Sequence, residues 1–137
     1  MIIADTGFFL ALANAADHDH QRALEAAQRV REPLITTWPV LTETCHLLLA
    51  RLGHVALMNF VTSAASSAFS VFQLDRAHFP RIEHLMRQYA DLPMDLADAS
   101  LVVLAEHLGH GRILSTDRRD FRTYRWKSRK PFTNLLG

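Results

Sequence analysis

Short apolar runs cut off by breaker residues alternate along the chain with longer stretches of helical spacing. That alternation is the signature of strand and helix units building a parallel sheet. Ile2-Ile3-Ala4 reads as a first strand ending at Asp5, followed by a short buried helix over 7–15 and a more exposed one over 20–30. Pro33 resets the chain before a second strand, Leu34-Ile35-Thr36. Pro39 suits the first turn of a helix that runs to Leu52 and is closed by Gly53, and helix continues over 55–68. Ser70 to Leu74 alternates with period two and predicts a third strand. Segments 76–89 and 95–108 read as helices, the second ending at Gly109, and Arg112 to Ser115 as a fourth strand. A last short strand is expected near Phe132-Thr133. The pattern predicts a single α/β domain over 1–137, with no internal repeat and no linker.

Composition changes this picture little: 49% hydrophobic residues with only 5 Gly and 5 Pro excludes a disordered or low-complexity chain. One cysteine, Cys45, cannot form an internal disulfide, and it reads as a buried small apolar residue. The first residues lack a basic region ahead of their apolar stretch and no apolar run spans a bilayer, so a cytoplasmic protein without a membrane partner is expected.

Charge changes it more. The net charge of +1 conceals an asymmetry: residues 1–111 carry 7 basic and 12 acidic groups, whereas 112–137 carry 8 basic and 2 acidic. A basic C-terminal segment suits a polyanion, although charged surfaces are also commonly just solvated. Within it Arg122, Tyr124, Arg125 and Trp126 interleave cations with rings, a pattern that suits unpaired bases.

The candidate chemistry lies in the carboxylates. Ligands of open parallel sheets gather at the carboxyl ends of strands, where Asp5 and Asp117 fall. Glu43 sits early in the helix after the second strand and Asp98 in the first turn of LADASLVVLA, so all four can converge at one end of the sheet. Carboxylates brought together repel one another and call for a cation, and all-oxygen ligation suits Mg²⁺ or Mn²⁺. Each acid also has a plainer role. Asp5 reads equally as a helix N-cap, and Asp95/Asp98 and Asp117/Asp120 have capping-box spacing. The helix around Glu43 looks apolar on both sides, which predicts a buried acid with a partner, the alternative being a rim position.

Rival motifs fit poorly. Asp-Thr-Gly also marks aspartic proteases, but those are all-β. A haloacid-type phosphatase needs a second Asp where Gly7 stands, and a response-regulator receiver needs a Lys, whereas both lysines lie in the C-terminal segment. The eight histidines lack the regular third ligand of a zinc site, and the aromatics Phe8, Phe9, Phe60, Phe69, Phe72, Phe79 and Phe121 read mostly as core.

Taken in order, Asp5-Thr6-Gly7 after an N-terminal strand, Glu43 in the third helix, Asp98 within LPMDLADASLVVLA and Asp117 within ILSTDRRDF closely resemble the PIN-domain ribonucleases, over nearly the whole chain. The segments LADASLVVLAEHLG and STDRRDFRTYR look most like the VapC toxins of toxin–antitoxin operons. The resemblance implies a three-layer α/β/α sandwich around a mostly parallel sheet of four to five strands. It implies an endoribonuclease whose catalytic acids are Asp5, Glu43, Asp98 and Asp117, with Asp5, Asp98 and Asp117 holding one or two Mg²⁺ or Mn²⁺ ions. Thr6 and Thr116 would support that site through hydrogen bonds, and Arg118, Arg119, Arg122 and Arg125 would contact RNA phosphates. An antitoxin protein and a homodimer are the implied partners. A PIN nuclease of RNA processing, or a regulatory module acting in complex with an antitoxin, are the alternatives. Gly7 departs from the family, where Ser is common.

Overall fold

The computed structural model describes residues 1–136, apart from the side chain of Arg118. Its strands are β1 (Ile2–Ala4), β2 (Leu34–Thr37), β3 (Ser70–Phe72), β4 (Arg112–Leu114), β5 (Arg125–Trp126), β6 (Lys130–Pro131) and β7 (Thr133–Asn134). Its α-helices are α1 (Thr6–Ala13), α2 (His20–Arg29), α3 (Trp38–Leu52), α4 (His54–Ala65), α5 (Phe79–Gln88), α6 (Leu96–Leu108) and α7 (Arg118–Thr123). Five strands form one sheet in the order β3-β2-β1-β4-β7, and every pairing in it is parallel. Helices flank this sheet, which is the expected α/β architecture, and the fifth strand lies at Thr133–Asn134. β5 and β6 form a separate antiparallel hairpin.

Local chemistry explains the boundaries. Gly109 closes α6 in the left-handed conformation (φ 78°), where a side chain would be strained. Asp75 accepts a hydrogen bond from the Ala77 N–H at 2.9 Å, so the predicted 76–89 helix opens as a 3₁₀ turn at Arg76–His78. The helix expected over 55–68 ends at Ala65, before Ser67 takes a positive φ. α7 is signalled in the sequence only by the capping spacing of Asp117 and Asp120; it begins immediately behind Asp117, whose carboxylate caps it.

The core runs through β1, all of whose residues are buried, and through α6, buried from Ala99 to Ala105. α6 packs on β1 and β2, and the polar Ser100 on its buried face is satisfied by the Thr37 hydroxyl (2.6 Å) and the Ala97 carbonyl (2.7 Å). Three expectations about burial are corrected. α3 buries one face only, through Val40, Leu41, Thr44 and Leu48, while Leu49 and Leu52 are exposed, so it is amphipathic rather than apolar all round. Cys45, off that face, is half-buried. Phe79 stands 57% exposed at the start of α5, ahead of the buried Ile82 and Leu85.

Candidate active site

From β1 the chain moves outward to β2 and β3, then returns through α5 and α6 to β4 on the opposite side of β1. The strand order therefore reverses between β1 and β4, and parallel sheets open a crevice beyond the strand ends at such a point. Asp5 follows β1 directly, and its N–H extends the ladder by donating to the Leu114 carbonyl at 3.1 Å. Asp117 lies just beyond β4 on the neighbouring strand. α6, the connection into β4, carries Asp98 in its first turn.

All three acids sit at helix N-termini, where a carboxylate is favoured by free N–H groups and by the helix dipole. Asp5 caps α1: its Oδ1 accepts from the Thr6 N–H (2.7 Å), and its Oδ2 accepts from the Ser115 hydroxyl (2.8 Å). That same hydroxyl oxygen accepts from the Asp117 N–H at 3.0 Å, tying the two strand ends together. Asp95 caps α6 by accepting from the Asp98 N–H (2.9 Å), and Asp98 reciprocates by accepting from the Asp95 N–H (3.4 Å). Asp98 Oδ2 also accepts from the Tyr124 hydroxyl at 3.1 Å. Asp117 caps α7 through Oδ1, which accepts from the Asp120 N–H at 3.1 Å. Capping and ligation thus do not compete, because hydrogen bonds occupy only part of each carboxylate's acceptor capacity.

Electrostatics mark the crevice. Burial pushes the Asp5 carboxyl up to about 6, against the lowering effect of Ser115 and Thr6, and the charges of Asp117 and Glu43 raise it further. Burial also pushes Asp98 up to about 8, helped by the charges of Asp95 and Asp5. Asp117 is raised by the same desolvation. Acids held above their ordinary range by burial and by each other are the arrangement a bound cation relieves. The donors are hard carboxylate oxygens, which fit Mg²⁺ or Mn²⁺. Among the described residues no three His, Cys, Asp or Glu side chains are gathered closely enough to hold an ion by themselves. A cation here would need water or substrate oxygens to complete its shell, which is the habit of Mg²⁺.

The model of the PIN domain matches residues 2–127. The chain belongs to the PIN-domain family. Among its relatives is a protein named ribonuclease VapC26 of Mycobacterium tuberculosis, 29% identical over 124 residues, which are 90% of this chain and 92% of that one. The PIN domain also superposes on the crystal structure of Mycobacterium tuberculosis VapC20, titled a Sarcin-Ricin loop cleaving toxin, with a TM-score of 0.80 and 23% identity over 87% of this chain and 92% of that one. A Pyrobaculum aerophilum protein, PAE2754, shares the fold at a TM-score of 0.56 and 20% identity, over 98% of this chain and 88% of that one.

In this PIN domain Glu43 is not the buried, paired acid that an all-apolar helix would require. It is half-buried on the exposed side of α3, and it lines an open groove of about 580 Å³ with Trp38, Thr42, His46 and Asp95, still close enough for its charge to act on Asp5. Thr6 supports Asp5 through its backbone N–H, while its hydroxyl turns to the Val40 carbonyl at 3.5 Å. Thr116 explains the missing side chain at position 7: a Cβ on Gly7 would stand 1.9 Å from the Thr116 Oγ1.

The basic segment of the PIN domain is more structural than its composition suggests. Tyr124 and Trp126 are buried, so the aromatic rings are core and not a stacking platform for bases. Arg125 turns Nη1 onto the carbonyls of Arg122, Thr123 and Tyr124, closing the end of α7. Arg112 pairs with Glu32. Arg119 and Arg122 are exposed, Arg119 leaning on Asp120 at 3.1 Å, and the Arg118 side chain lies outside the described residues.

Three supporting residues escape a reading of the sequence. Ser115, fully buried, links Asp5 to Asp117. Asn134 clamps Ser115 by accepting from its N–H (3.2 Å) and donating to its carbonyl (2.8 Å), as a neighbouring strand would. Tyr124 reaches Asp98 across the fold. A polar residue that ends an apolar run two positions before Asp117 is a signal for Ser115; the other two have none.

Proposed function

We infer that this PIN domain is a divalent-metal-dependent endoribonuclease of the VapC toxin type, hydrolysing RNA phosphodiester bonds to leave 5′-phosphate and 3′-hydroxyl ends. The observation that carries the reading is the set of three capping carboxylates, Asp5, Asp98 and Asp117, at the reversal of the strand order, two of them held near or above pH 6. One or two Mg²⁺ or Mn²⁺ ions bound there would supply a polarised water and neutralise charge on the phosphate. Asp5 and Asp98 are the principal ligands, Asp117 completes the set directly or through water, and Glu43 orients water at the rim. Ser115 and the helix N-termini fix these acids, so little reorganisation is needed when substrate arrives. Exposed Arg119 and Arg122 would hold flanking phosphates, which position the strand without reading its sequence.

Two apolar surfaces support the proposed protein partners. α4 buries none of its residues and leaves Val55, Met58 and Val61 exposed beside Leu49 and Leu52 of α3, a face that suits a second copy of the chain. Trp38 and Leu96 line the groove that holds Glu43 and Asp95, Phe79 lines a second one that shares them, and these apolar groups suit an antitoxin segment. Light scattering of the purified chain at micromolar concentration is expected to give twice the 15.5 kDa chain mass. A monomer that stays monomeric with concentration would remove the dimer.

The activity itself is tested by incubating the purified protein with cellular RNA in Mn²⁺ or Mg²⁺ and again with excess chelator. Cleavage should require the metal, stop with Asp98→Asn in an otherwise folded protein, and leave ends that ligate as 5′-phosphates. Equal cleavage in chelator, or by the variant, would overturn the reading.

A further inference from the structure

We propose that Tyr124 is a positioning residue of the candidate metal site, its hydroxyl setting the orientation of the Asp98 carboxylate; this rests on the nuclease reading above. Tyr124 is fully buried, and a buried phenol requires a partner for its O–H. The partner is Asp98 Oδ2 at 3.1 Å. The only other donor to that oxygen among the described residues is the Asp95 N–H at 3.4 Å, a long bond within the same helix turn. Both donors fall on Oδ2, so Oδ1 has no donor among the described residues and keeps its lone pairs for a cation.

The ring has no freedom to move the hydroxyl elsewhere. It stands edge-on to Tyr89 (centroids 5.0 Å, 67°) and to Phe121 (5.2 Å, 86°). The Tyr124 backbone N–H also donates to the Asp120 carbonyl at 2.9 Å. Asp98, by contrast, sits half-buried in the open first turn of α6, where its two side-chain torsions would otherwise be ordered only when a cation binds. A hydrogen bond from a rigid core group removes that ordering cost in advance, and a ligand oriented in this way binds metal more tightly.

The test is the Mn²⁺ affinity of the full chain, measured by titration calorimetry and by the loss of the free-ion electron paramagnetic signal. Tyr124→Phe should bind Mn²⁺ about 10-fold more weakly than the wild type. Its RNA cleavage should recover towards the wild-type kcat when Mn²⁺ is raised in proportion, which a general packing defect would not do. Tyr89→Phe, which removes the neighbouring hydroxyl but not the bond to Asp98, should leave the affinity unchanged. Equal affinity in Tyr124→Phe and wild type would overturn the proposal while leaving the nuclease reading standing. A wild-type chain that binds no Mn²⁺ would overturn both. Should Tyr124→Phe fail to fold, the tyrosine Cζ resonance of ¹³C-labelled wild type decides: Tyr124 must shift and saturate on Mg²⁺ titration, and a resonance that stays fixed overturns the proposal.

Discussion

Asp5→Asn should silence RNA cleavage and at the same time make the protein more stable near neutral pH. The rate is expected to fall by ~10³-fold or more, since a carboxylate that holds a catalytic cation supplies several kcal/mol of charge stabilisation. Stability should move the other way because Asp5 is buried, and burial pushes its carboxyl up to about 6, so the folded state carries an unfavourable charge at pH 7. Asparagine keeps the shape and an acceptor for the Thr6 N–H, and its amide can donate to the Ser115 hydroxyl oxygen in place of the bond that Ser115 now donates. Calorimetry without metal should show the variant melting at least a few degrees above the wild type at pH 7, with the difference closing near pH 4. A variant that melts lower at pH 7, or that still cuts RNA at an undiminished rate, contradicts the role assigned to this residue.

The same acids set a pH dependence for the whole fold. Without metal, stability is expected to fall as the pH rises from about 4 to about 8, the window bounded by the ordinary carboxylate value and by the raised positions of Asp5 and Asp98. Within that window Asp5 and Asp98 bind more protons in the native protein than in the unfolded chain, so their contribution to stability decreases with pH. For Asp5 the effect amounts to ~3 kcal/mol at most, taking about two units at 1.36 kcal/mol each. Asp98 adds less than its larger shift implies, because water reaches it and screens its neighbours. Saturating Mg²⁺ should reverse the trend, raising the melting temperature more at pH 8 than at pH 5, where protons compete for the same oxygens. A melting temperature that climbs steadily from pH 5 to pH 8 without metal would show that these carboxylates are not held in a shared, desolvated site.

The sheet was legible in the sequence because its strands are short apolar runs with clear breakers: Ile2-Ile3-Ala4 ends at Asp5, and Arg112 to Leu114 is followed within three residues by Asp117. The positions of Asp5 and Asp117 were legible for the same reason, since a residue that follows a parallel strand must emerge at one rim. Asp98 needed the capping spacing with Asp95. The half-burial of Glu43 is not legible in the sequence, because a helix's apolar count does not say which apolar residues are covered; Leu49 and Leu52 are not. The structure of the C-terminal segment is not legible there, because charge dominates its composition whereas its buried rings, Phe121, Tyr124 and Trp126, belong to the core. Tyr124 and Asn134 act through contacts 26 and 19 residues away in the chain, and no local pattern encodes such pairings.

The supports of Asp5 have a kinetic meaning. Its carboxylate is held by a hydroxyl 110 residues away in the chain, which is itself clamped by Asn134 on the last strand of the sheet. Contacts that close loops of this length form late, after local helices have settled, because the entropy of closure must be met before they return any stabilisation. A partly folded chain therefore holds scattered acids with ordinary affinities and no assembled crevice. The crevice is therefore complete only when both ends of the chain are in place, since Asp5, Ser115 and Asn134 support one another in series.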